Sequence, residues 1–365
     1  MEEIQVKTSR DFQHYYYTSL KRELLSLEKK RKEAVQKMYG VGIVLGLVFI
    51  LIFFAVQFFK LHFGLLVLTF LGCAVVWGYM YSHNTAEYVK EFKTKIITRI
   101  IEFVDQKLTY QSHNYIPNST FYDSKIFPRT ADRYKGDDYV SGVIGQTEIA
   151  FSEIHAEYKE EKSNVRFSGE TSTSIHVTVL SVFWRIIKKQ MRGERINLSN
   201  LGEEVFSDSR WHTIFKGLFF VADFNKNFTC QTLVLPASAS GVLRQINGLL
   251  QSWNKRGELI KLEDPEFNKL FVVYSNDQVE SRYILSTSLM ARLTKFKQKA
   301  DKKIYISFVN TKIFVAVSYS KDLFEPKVFK TMAEFAPMKE YFEDLELALS
   351  LVHDLNLNTR IWSKQ

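Results

Sequence analysis

Two uncharged apolar runs constrain this chain more than any other feature of its sequence. Val41–Phe59 and Phe63–Tyr81 each hold 19 residues without a charged side chain, and Gln57 is the one amide among them. A helix of that length spans roughly 28 Å, close to the ~30 Å hydrocarbon thickness of a bilayer. A core helix of a soluble domain would show a polar face, which neither run has. The sequence therefore predicts two transmembrane helices joined by the turn Lys60–His62.

The distribution of lysine and arginine predicts the orientation of these helices. The 20 residues before the first run hold seven basic side chains, the 20 after the second run hold four, and the turn holds Lys60 alone. Because basic residues stay on the cytoplasmic side, we expect both termini to be cytoplasmic. The 40-residue polar leader and the second run argue against a cleaved signal peptide.

Several residues in these runs have predicted roles in the membrane. Residues near the ends of the runs are expected at the lipid–water interface, where polar and aromatic side chains are favoured: Lys60, His62, Trp77, Tyr79 and Tyr81. Small residues four apart would let the two helices approach closely: Gly42 and Gly46, and Ala74 and Gly78. The alternative, that small residues are simply common in membrane helices, stays open.

Polar arms with helical periodicity flank both runs. The first arm, residues 12–39, carries a heptad seam that contains one arginine: Leu20, Leu24, Leu27, Arg31, Ala34 and Met38. The second arm, residues 82–109, carries a comparable stripe: Val89, Phe92, Ile96, Ile100 and Phe103. These patterns predict a continuous antiparallel helical hairpin over residues 1–110, with coiled-coil-like arms. Pairing of the first arm with its copy in a second chain is an alternative that the pattern leaves open.

The remainder of the chain predicts a β-rich cytoplasmic domain. We expect a connecting segment over residues 111–138, an α+β domain over 139–330, and a C-terminal amphipathic helix and tail over 331–365. β-branched and aromatic runs predict strands: Thr173–Trp184, Ile214–Val221, Phe228–Leu235, Leu259–Leu262, Phe271–Tyr274, Lys303–Phe308 and Lys312–Tyr319. Short turns between these strands, with helices inserted rather than alternating, favour a mainly antiparallel α+β fold with a few packed helices.

Two turns and three helices complete this prediction. Asn225–Asn227 is a suitable hairpin turn between the second and third of these strands, and Asn310 lies in a second one. Apolar residues at helical spacing predict helices over residues 242–253, over residues 289–296 after a cap at Ser286, and over residues 338–352.

The sequence offers few candidates for catalytic or metal-binding residues. The eight histidines show no spacing typical of a metal site, and phosphate-binding glycine loops and nucleophile elbows are missing. Cys230 lies among strand residues and is predicted to be a buried structural thiol. We therefore assign no catalytic, cofactor-binding or metal-binding residue, and no cofactor.

Charged residues gather around two turns of the predicted domain. They form a candidate polar interaction cluster for a partner or a cation: Glu263, Asp264, Asp277, Glu280 and Arg282. Solvated turns and helix-end charges are the favoured alternative. The formal net charge of +9 divides into +5 over residues 1–110 and +4 over the rest. The domain is thus only mildly basic, and no nucleic-acid partner is expected.

The predicted domain also resembles a known family. Phe215–Phe220 continuing to Lys226, Leu262–Phe267, Phe271–Leu285, and Leu323–Pro326 are similar, in this order, to blocks of the bacterial family called domain of unknown function 3137. The resemblance covers roughly residues 140–330. It implies a membrane-anchored protein of the bacterial inner membrane, with a membrane hairpin before the domain, and it implies no activity.

Two hypotheses on function follow. The favoured one is an integral membrane protein whose cytoplasmic domain is a binding or scaffold module at the membrane surface, with the lipid bilayer and a protein partner or a second copy as partners. The alternative is a membrane-surface hydrolase or transferase whose site is assembled from dispersed residues.

Overall fold

The computed structural model describes residues 7–60, 62–160, 210–224, 227–237 and 257–355. The predicted strand Thr173–Trp184, the predicted helix over residues 242–253 and most of the predicted turn Asn225–Asn227 lie outside these ranges. Within them the chain forms two long helices, five shorter helices and nine strands.

The chain begins with an antiparallel helical hairpin. Helix α1 spans Ser9–Phe58 and α2 spans Gly64–Val104, and each contains one π-helical turn, Tyr16–Leu20 in α1 and Lys93–Ile97 in α2. Thr8 begins α1 with a capping box that it forms with Asp11. All six residues of the predicted seam in the first arm are buried, and the arms pair with each other within one chain, as in the hydrogen bond from Lys30 to Glu91.

The far half of the hairpin is apolar and stands apart from the rest of the molecule. Both helices contain a stretch long and apolar enough to cross a membrane, and only 6% of that stretch in α1 and 11% in α2 is buried. Large side chains such as Leu51 and Leu68 are 69% and 72% exposed. These stretches are therefore not core helices of the domain.

The nine strands form a single sheet, and all of their described pairings are antiparallel. The order across the sheet is β1-β2-β3-β4-β9-β8-β5-β7-β6. The strands are β1 Leu108–Gln111, β2 Arg133–Ile144, β3 Thr147–Glu160, β4 Arg210–Asp223, β5 Thr232–Pro236, β6 Glu258–Ile260, β7 Phe271–Ser275, β8 Ile304–Val309 and β9 Lys312–Ser318. The five shorter helices are α3 Asn118–Asp123, α4 Pro265–Leu270, α5 Gln278–Ile284, α6 Thr287–Ala300 and α7 Phe335–Asp354.

Both faces of the sheet are covered. Because side chains alternate along a strand, the neighbours Phe219 and Phe220 enter different cores. Phe219 packs with α3 and the segment around Phe127, whereas Phe220 belongs to the larger core, which also contains α4, α6, α7 and the arms of the hairpin.

The arms of the hairpin are part of this larger core. Phe12 of α1 stacks on Phe342 of α7 with ring centroids 4.5 Å apart. Tyr16 donates a hydrogen bond to the carbonyl of Ala333 just before α7. Phe92 of α2 meets Tyr341 of α7 at 5.9 Å. The C-terminal helix is therefore packed against both arms.

Most sequence predictions for the described strands and helices are confirmed. β8 and β9 form the predicted hairpin, the two short strands predicted around residues 259–274 are present as β6 and β7, and Ser286 caps α6. The predicted hairpin of β4 and β5 is wrong: β4 pairs with β3 and β9, and β5 pairs with β7 and β8. The β8–β9 hairpin separates the two strands, a long-range pairing that local turn chemistry does not show.

Replacing Phe342 by alanine tests the attachment of the arms. The side chain is fully buried between Phe12 and Phe103, so Phe342→Ala should lower the free energy of unfolding of the domain by about 3–5 kcal/mol. Denaturant unfolding in detergent, followed by circular dichroism, measures this loss. Val279→Ala, at a side chain that is 80% exposed, is the control and should change it by less than about 0.5 kcal/mol. Equal effects of the two variants would contradict the packing described here.

Candidate functional site

A buried lysine lies between the hairpin and the sheet. Lys93 begins the π-helical turn of α2, and its side chain is only 4% exposed. Its ammonium lies 2.7 Å from a carboxylate oxygen of Asp137, 2.9 Å from one of Asp138 and 2.7 Å from one of Glu325. A lysine is rarely buried without such partners. The ammonium and its three carboxylates therefore form the centre of a charge cluster.

Asp138 enters the cluster because β2 is irregular at this point. The pairing of β2 with β3 shifts between Asp137 and Val140, as in a β-bulge, and Asp138 has a left-handed backbone with φ of 57°. Its N–H donates to the carbonyl of Ser112 rather than to β3. The bulge places two consecutive carboxylates beside Lys93, and the hydroxyl of Tyr110 donates to the second one, Asp138.

Glu153 of β3 is a fourth carboxyl group beside the cluster. It is buried, and one of its oxygens accepts a hydrogen bond of 2.9 Å from the N–H of Leu323. Burial raises the pKa of Glu153 to about 9, and nearby Asp137 and Asp322 add to this rise. The group is therefore protonated and neutral near pH 7 and adds no negative charge to the cluster.

Burial and mutual interaction shift the other pKa values of the cluster. Burial raises the pKa of Asp138 to about 7, with repulsion from Asp137 adding to this and attraction to Lys93 opposing it. For Lys93, burial alone would lower the pKa, but the three carboxylates outweigh it and hold the pKa above its usual range. Burial likewise raises the pKa of Tyr110. Tyr110 is thus a neutral donor and Lys93 a permanent cation.

Three of these carboxyl groups are spaced as ligands of a metal ion would be. One oxygen from each of Asp137, Asp138 and Glu153 lies within 4.8 Å of the others. Lys93 already contacts the two aspartates, and Glu153 is protonated near pH 7. The positive charge of the cluster is thus supplied by Lys93.

The segment between β9 and α7, residues 319–334, crosses the hairpin and is called the strap here. Glu325 of the strap binds Lys93, and its carbonyl accepts a hydrogen bond from the hydroxyl of Tyr341 at 2.7 Å. The carbonyl of Val328 accepts one from Arg31 of α1 at 2.8 Å. The strap is therefore fixed to both helices of the hairpin and to α7.

Arg31, the one arginine of the predicted seam, has a clear role. It is 8% exposed and forms two hydrogen bonds, of 2.7 and 2.8 Å, with the carboxylate of Glu28, which is also buried. Its remaining guanidinium nitrogen binds the strap at Val328. A planar guanidinium can make both contacts at once, which an aliphatic residue at this seam position could not.

Most residues of the predicted polar cluster form hydrogen bonds with nearby backbone groups. Asp264 and Asp277 accept backbone N–H bonds as the N-caps of α4 and α5. Glu280 accepts hydrogen bonds from Thr229 and from the N–H of Cys230, and these lower its pKa against the opposing effect of burial. Arg282 donates to the carbonyl of Lys261. Glu263 is exposed.

The small residues of the hairpin differ in their surroundings. A Cβ on Gly42 would lie 2.7 Å from the ring of Trp77 on α2, whereas nothing lies within 4 Å of a Cβ on Gly46. Ala74 is half-buried and Gly78 is buried. Close approach of the two helices is thus shown at Gly42.

The predicted interface residues lie at both ends of the apolar stretches. Lys60 and His62 are exposed in the turn, and Lys60 has a left-handed φ of 48°. Tyr79 is exposed near the other end, whereas Tyr81 is half-buried and its ring stacks on Phe329 of the strap at 5.8 Å.

Cys230 is buried, as predicted, and burial raises its pKa. A thiol in this state carries little thiolate near pH 7, so it is a poor nucleophile. The prediction that this thiol is buried is confirmed.

The cluster around Lys93 was missed in the sequence because its members come from distant positions between residues 93 and 325. One signal was present: Lys93 directly follows Phe92 of the apolar stripe, and it is flanked by Lys90 and Lys95, which are both exposed. In the sequence, Lys93 is one of several basic residues after the second apolar run, and the count of basic residues does not distinguish it from its neighbours.

These features define an α+β protein in which a helical hairpin is fixed to an antiparallel sheet by a buried charge cluster. Residues 213–357 match the model of a family described as "Protein of unknown function (DUF3137)", and the resemblance predicted from the sequence is thereby confirmed. The match extends from β4 to α7 and contains Gly217. The φ of Gly217 is 147°, and a Cβ at this position would lie 2.1 Å from the carbonyl oxygen of Val317, so only glycine fits there. Searches among curated proteins and among solved structures found no match.

Replacing Lys93 by methionine should destabilise the domain strongly. The variant leaves Asp138 and Asp137 without their cation, so we expect the free energy of unfolding to fall by about 3–5 kcal/mol at pH 8, where Asp138 is ionised. Lys90→Met, at an exposed lysine one turn away, is the matched control and should change it by less than about 0.5 kcal/mol. Denaturant unfolding in detergent measures both. A Lys93→Met variant as stable as the control would show that the cluster is not a structural junction.

The raised pKa of Glu153 predicts a dependence of stability on pH. Between about pH 4.5 and pH 9 the folded state binds the proton more tightly than the unfolded state, so stability contributed by Glu153 is lost as pH rises through this window. The loss should be at most ~1.4 kcal/mol per pH unit. Glu153→Gln keeps an acceptor for the N–H of Leu323 and cannot ionise. The unfolding free energy of the variant minus that of the wild type should therefore rise from pH 6 to pH 9. A constant difference would contradict this assignment.

Proposed function

We propose that this chain is an integral membrane protein whose sheet domain is held at the cytoplasmic surface of the bacterial inner membrane and acts there as a binding or scaffold module. The observation that carries the proposal is the continuity of the hairpin: the helices that expose a long apolar stretch at one end are part of the domain core at the other. A domain joined in this way cannot move away from the surface that receives the apolar stretch.

The exposure of the apolar half of the hairpin supports the membrane as its environment. With 6% and 11% of the two stretches buried, an aqueous environment would leave a large contiguous apolar surface in water, at roughly 25 cal/mol per Å². Lipid removes that cost and leaves every backbone hydrogen bond within the helices. The same burial argues against the core-helix alternative.

The charges of the arms support a cytoplasmic domain. The basic residues lie on the side of the hairpin where the domain is, and Lys60 is alone at the opposite end. By the positive-inside rule the domain side is cytoplasmic.

A binding role fits the site better than catalysis does. Carboxyl groups with raised pKa values in a cleft are typical of acid–base catalysts, and Asp138 and Glu153 have such values. Both are buried, however, and the oxygens of Asp138 bind Tyr110 and Lys93. A substrate would have to displace Lys93 to reach them, so the cluster supports a structural junction more than an enzyme of the hydrolase or transferase class.

Reporter fusions test the membrane topology. A reporter active only in the cytoplasm should be active when fused after Gln365, and a reporter active only in the periplasm should be active when inserted at the turn Lys60–His62. The full chain should also resist alkaline extraction from membranes. Periplasmic activity of the fusion at Gln365 would contradict the proposed orientation, and release by alkali would contradict membrane crossing.

Crosslinking in intact cells tests the scaffold role. The full chain, tagged at its C-terminus, should recover a stoichiometric protein partner or a second copy of itself when it is purified from crosslinked membranes. Lys93→Met, which weakens the junction of hairpin and domain, should recover less of the partner at equal abundance in the membrane. Recovery of no stoichiometric partner from cells that hold abundant protein would count against this role.

A further inference from the structure

The strap carries one aromatic side chain that the core does not use. Phe329 is 53% exposed, whereas its neighbour Val328 is 4% exposed and Pro326 is also buried. One face of the Phe329 ring stacks on Tyr81 of α2 at 5.8 Å. The strap therefore holds an apolar side chain against the hairpin with its other face open.

Phe329 lies beside the end of the apolar half of the hairpin. Tyr81 is the last residue of the second apolar run, so Phe329 lies where the apolar half of the hairpin meets the arms. The first helix reaches the same level near Met38, which contacts Asn84 of α2. The neighbouring Tyr39 is 64% exposed, and Tyr79 on α2 is 67% exposed. The strap thus adds a third exposed aromatic side chain to a level that already has two, Tyr39 and Tyr79.

Positive charge accompanies these aromatic side chains. Lys330 follows Phe329 and is exposed, and Lys37 is exposed beside Met38. Two acidic residues of the strap lie close in sequence: Glu325 is bound to Lys93, and Glu334 is exposed. Aromatic rings with adjacent lysines at the end of an apolar helix are suited to the headgroup region of a bilayer that contains anionic lipids.

We propose that Phe329 and Lys330 of the strap bind the anionic headgroup region of the bilayer that the hairpin crosses, so that the domain touches the membrane at a third point. The inference rests on the proposed membrane insertion of the hairpin. Phe329 enters the interface beside Tyr81, and Lys330 contacts lipid phosphates. Because the strap is also bound to Lys93, Arg31 and Tyr341, this contact fixes the distance of the sheet from the membrane surface.

Site-specific fluorescence in proteoliposomes tests this proposal. Full-length chains with one cysteine each, at Phe329→Cys, at Val279→Cys or at the native Cys73, are labelled with a polarity-sensitive fluorophore, the other native cysteines being replaced by alanine. The vesicles contain phosphatidylcholine, with or without phosphatidylglycerol, and a lipid that carries a quencher near its headgroup. Val279 is the matched control because it is an exposed apolar residue of α5, an element outside both the hairpin and the strap. Circular dichroism confirms that each labelled chain is folded.

The expected result is quenching at residue 329 that is several-fold stronger than at residue 279, with emission shifted to the blue. Phosphatidylglycerol should increase the quenching at residue 329, and Lys330→Gln in the same chain should remove that increase. Quenching at residue 329 no stronger than at residue 279 would overturn the proposal and leave this face for a protein partner, and an unchanged signal with phosphatidylglycerol would overturn its anionic part.

The label at Cys73 separates this proposal from the one that it rests on. Cys73 lies in the second apolar run, so a label there should be shielded in lipid whether or not the strap touches the membrane. A label at Cys73 that emits as in water would contradict membrane insertion of the hairpin. A shielded label at Cys73, together with an unquenched label at residue 329, would overturn the strap contact alone.

Discussion

The ammonium of Lys93 determines how the hairpin and the sheet are joined. A buried cation is tolerated only where carboxylates surround it, and here the carboxylates come from the bulge of β2 and from the strap. Sliding α2 along the sheet would separate the buried charges of Lys93 and Asp138. An apolar contact tolerates such sliding far better. The charge cluster therefore fixes the position of α2 along the sheet, and the surrounding aromatic side chains pack around it.

The other contacts of the junction depend on that position. The buried pair of Arg31 and Glu28 fixes the strap on the opposite helix, and the stack of Phe12 on Phe342 closes α7 over the arms. The apolar half of the hairpin therefore projects from a base with defined geometry. This is why the surface of the strap near Tyr81 has a definite place relative to the apolar stretches.

Local patterns predicted those parts of the fold that depend on neighbours in sequence. The two apolar runs, the seam from Leu20 to Met38, the β8–β9 hairpin and the cap of α6 all follow from spacing or composition within one element. The strands β2 and β3 were not predicted. β2, RYKGDDYVSGVI, contains four charged residues among its twelve, because one part of it builds a bulge and binds Lys93 rather than presenting an apolar face. The pairing of β4 with β9 instead of β5 depends on residues about 100 positions away.

The sequence by itself determined that this chain has a two-helix apolar hairpin with basic arms and an α+β domain, and that the domain resembles one known family. Each of these features depends on the periodicity or the order of contiguous residues. Only the tertiary structure decided what the arginine of the seam does, which of the lysines after the second run is buried, and that the strap lies across the hairpin. These outcomes depend on charges and rings brought together from residues 31, 93, 138 and 325, and the energy of a buried charge is set by its partners in space rather than by its neighbours in sequence.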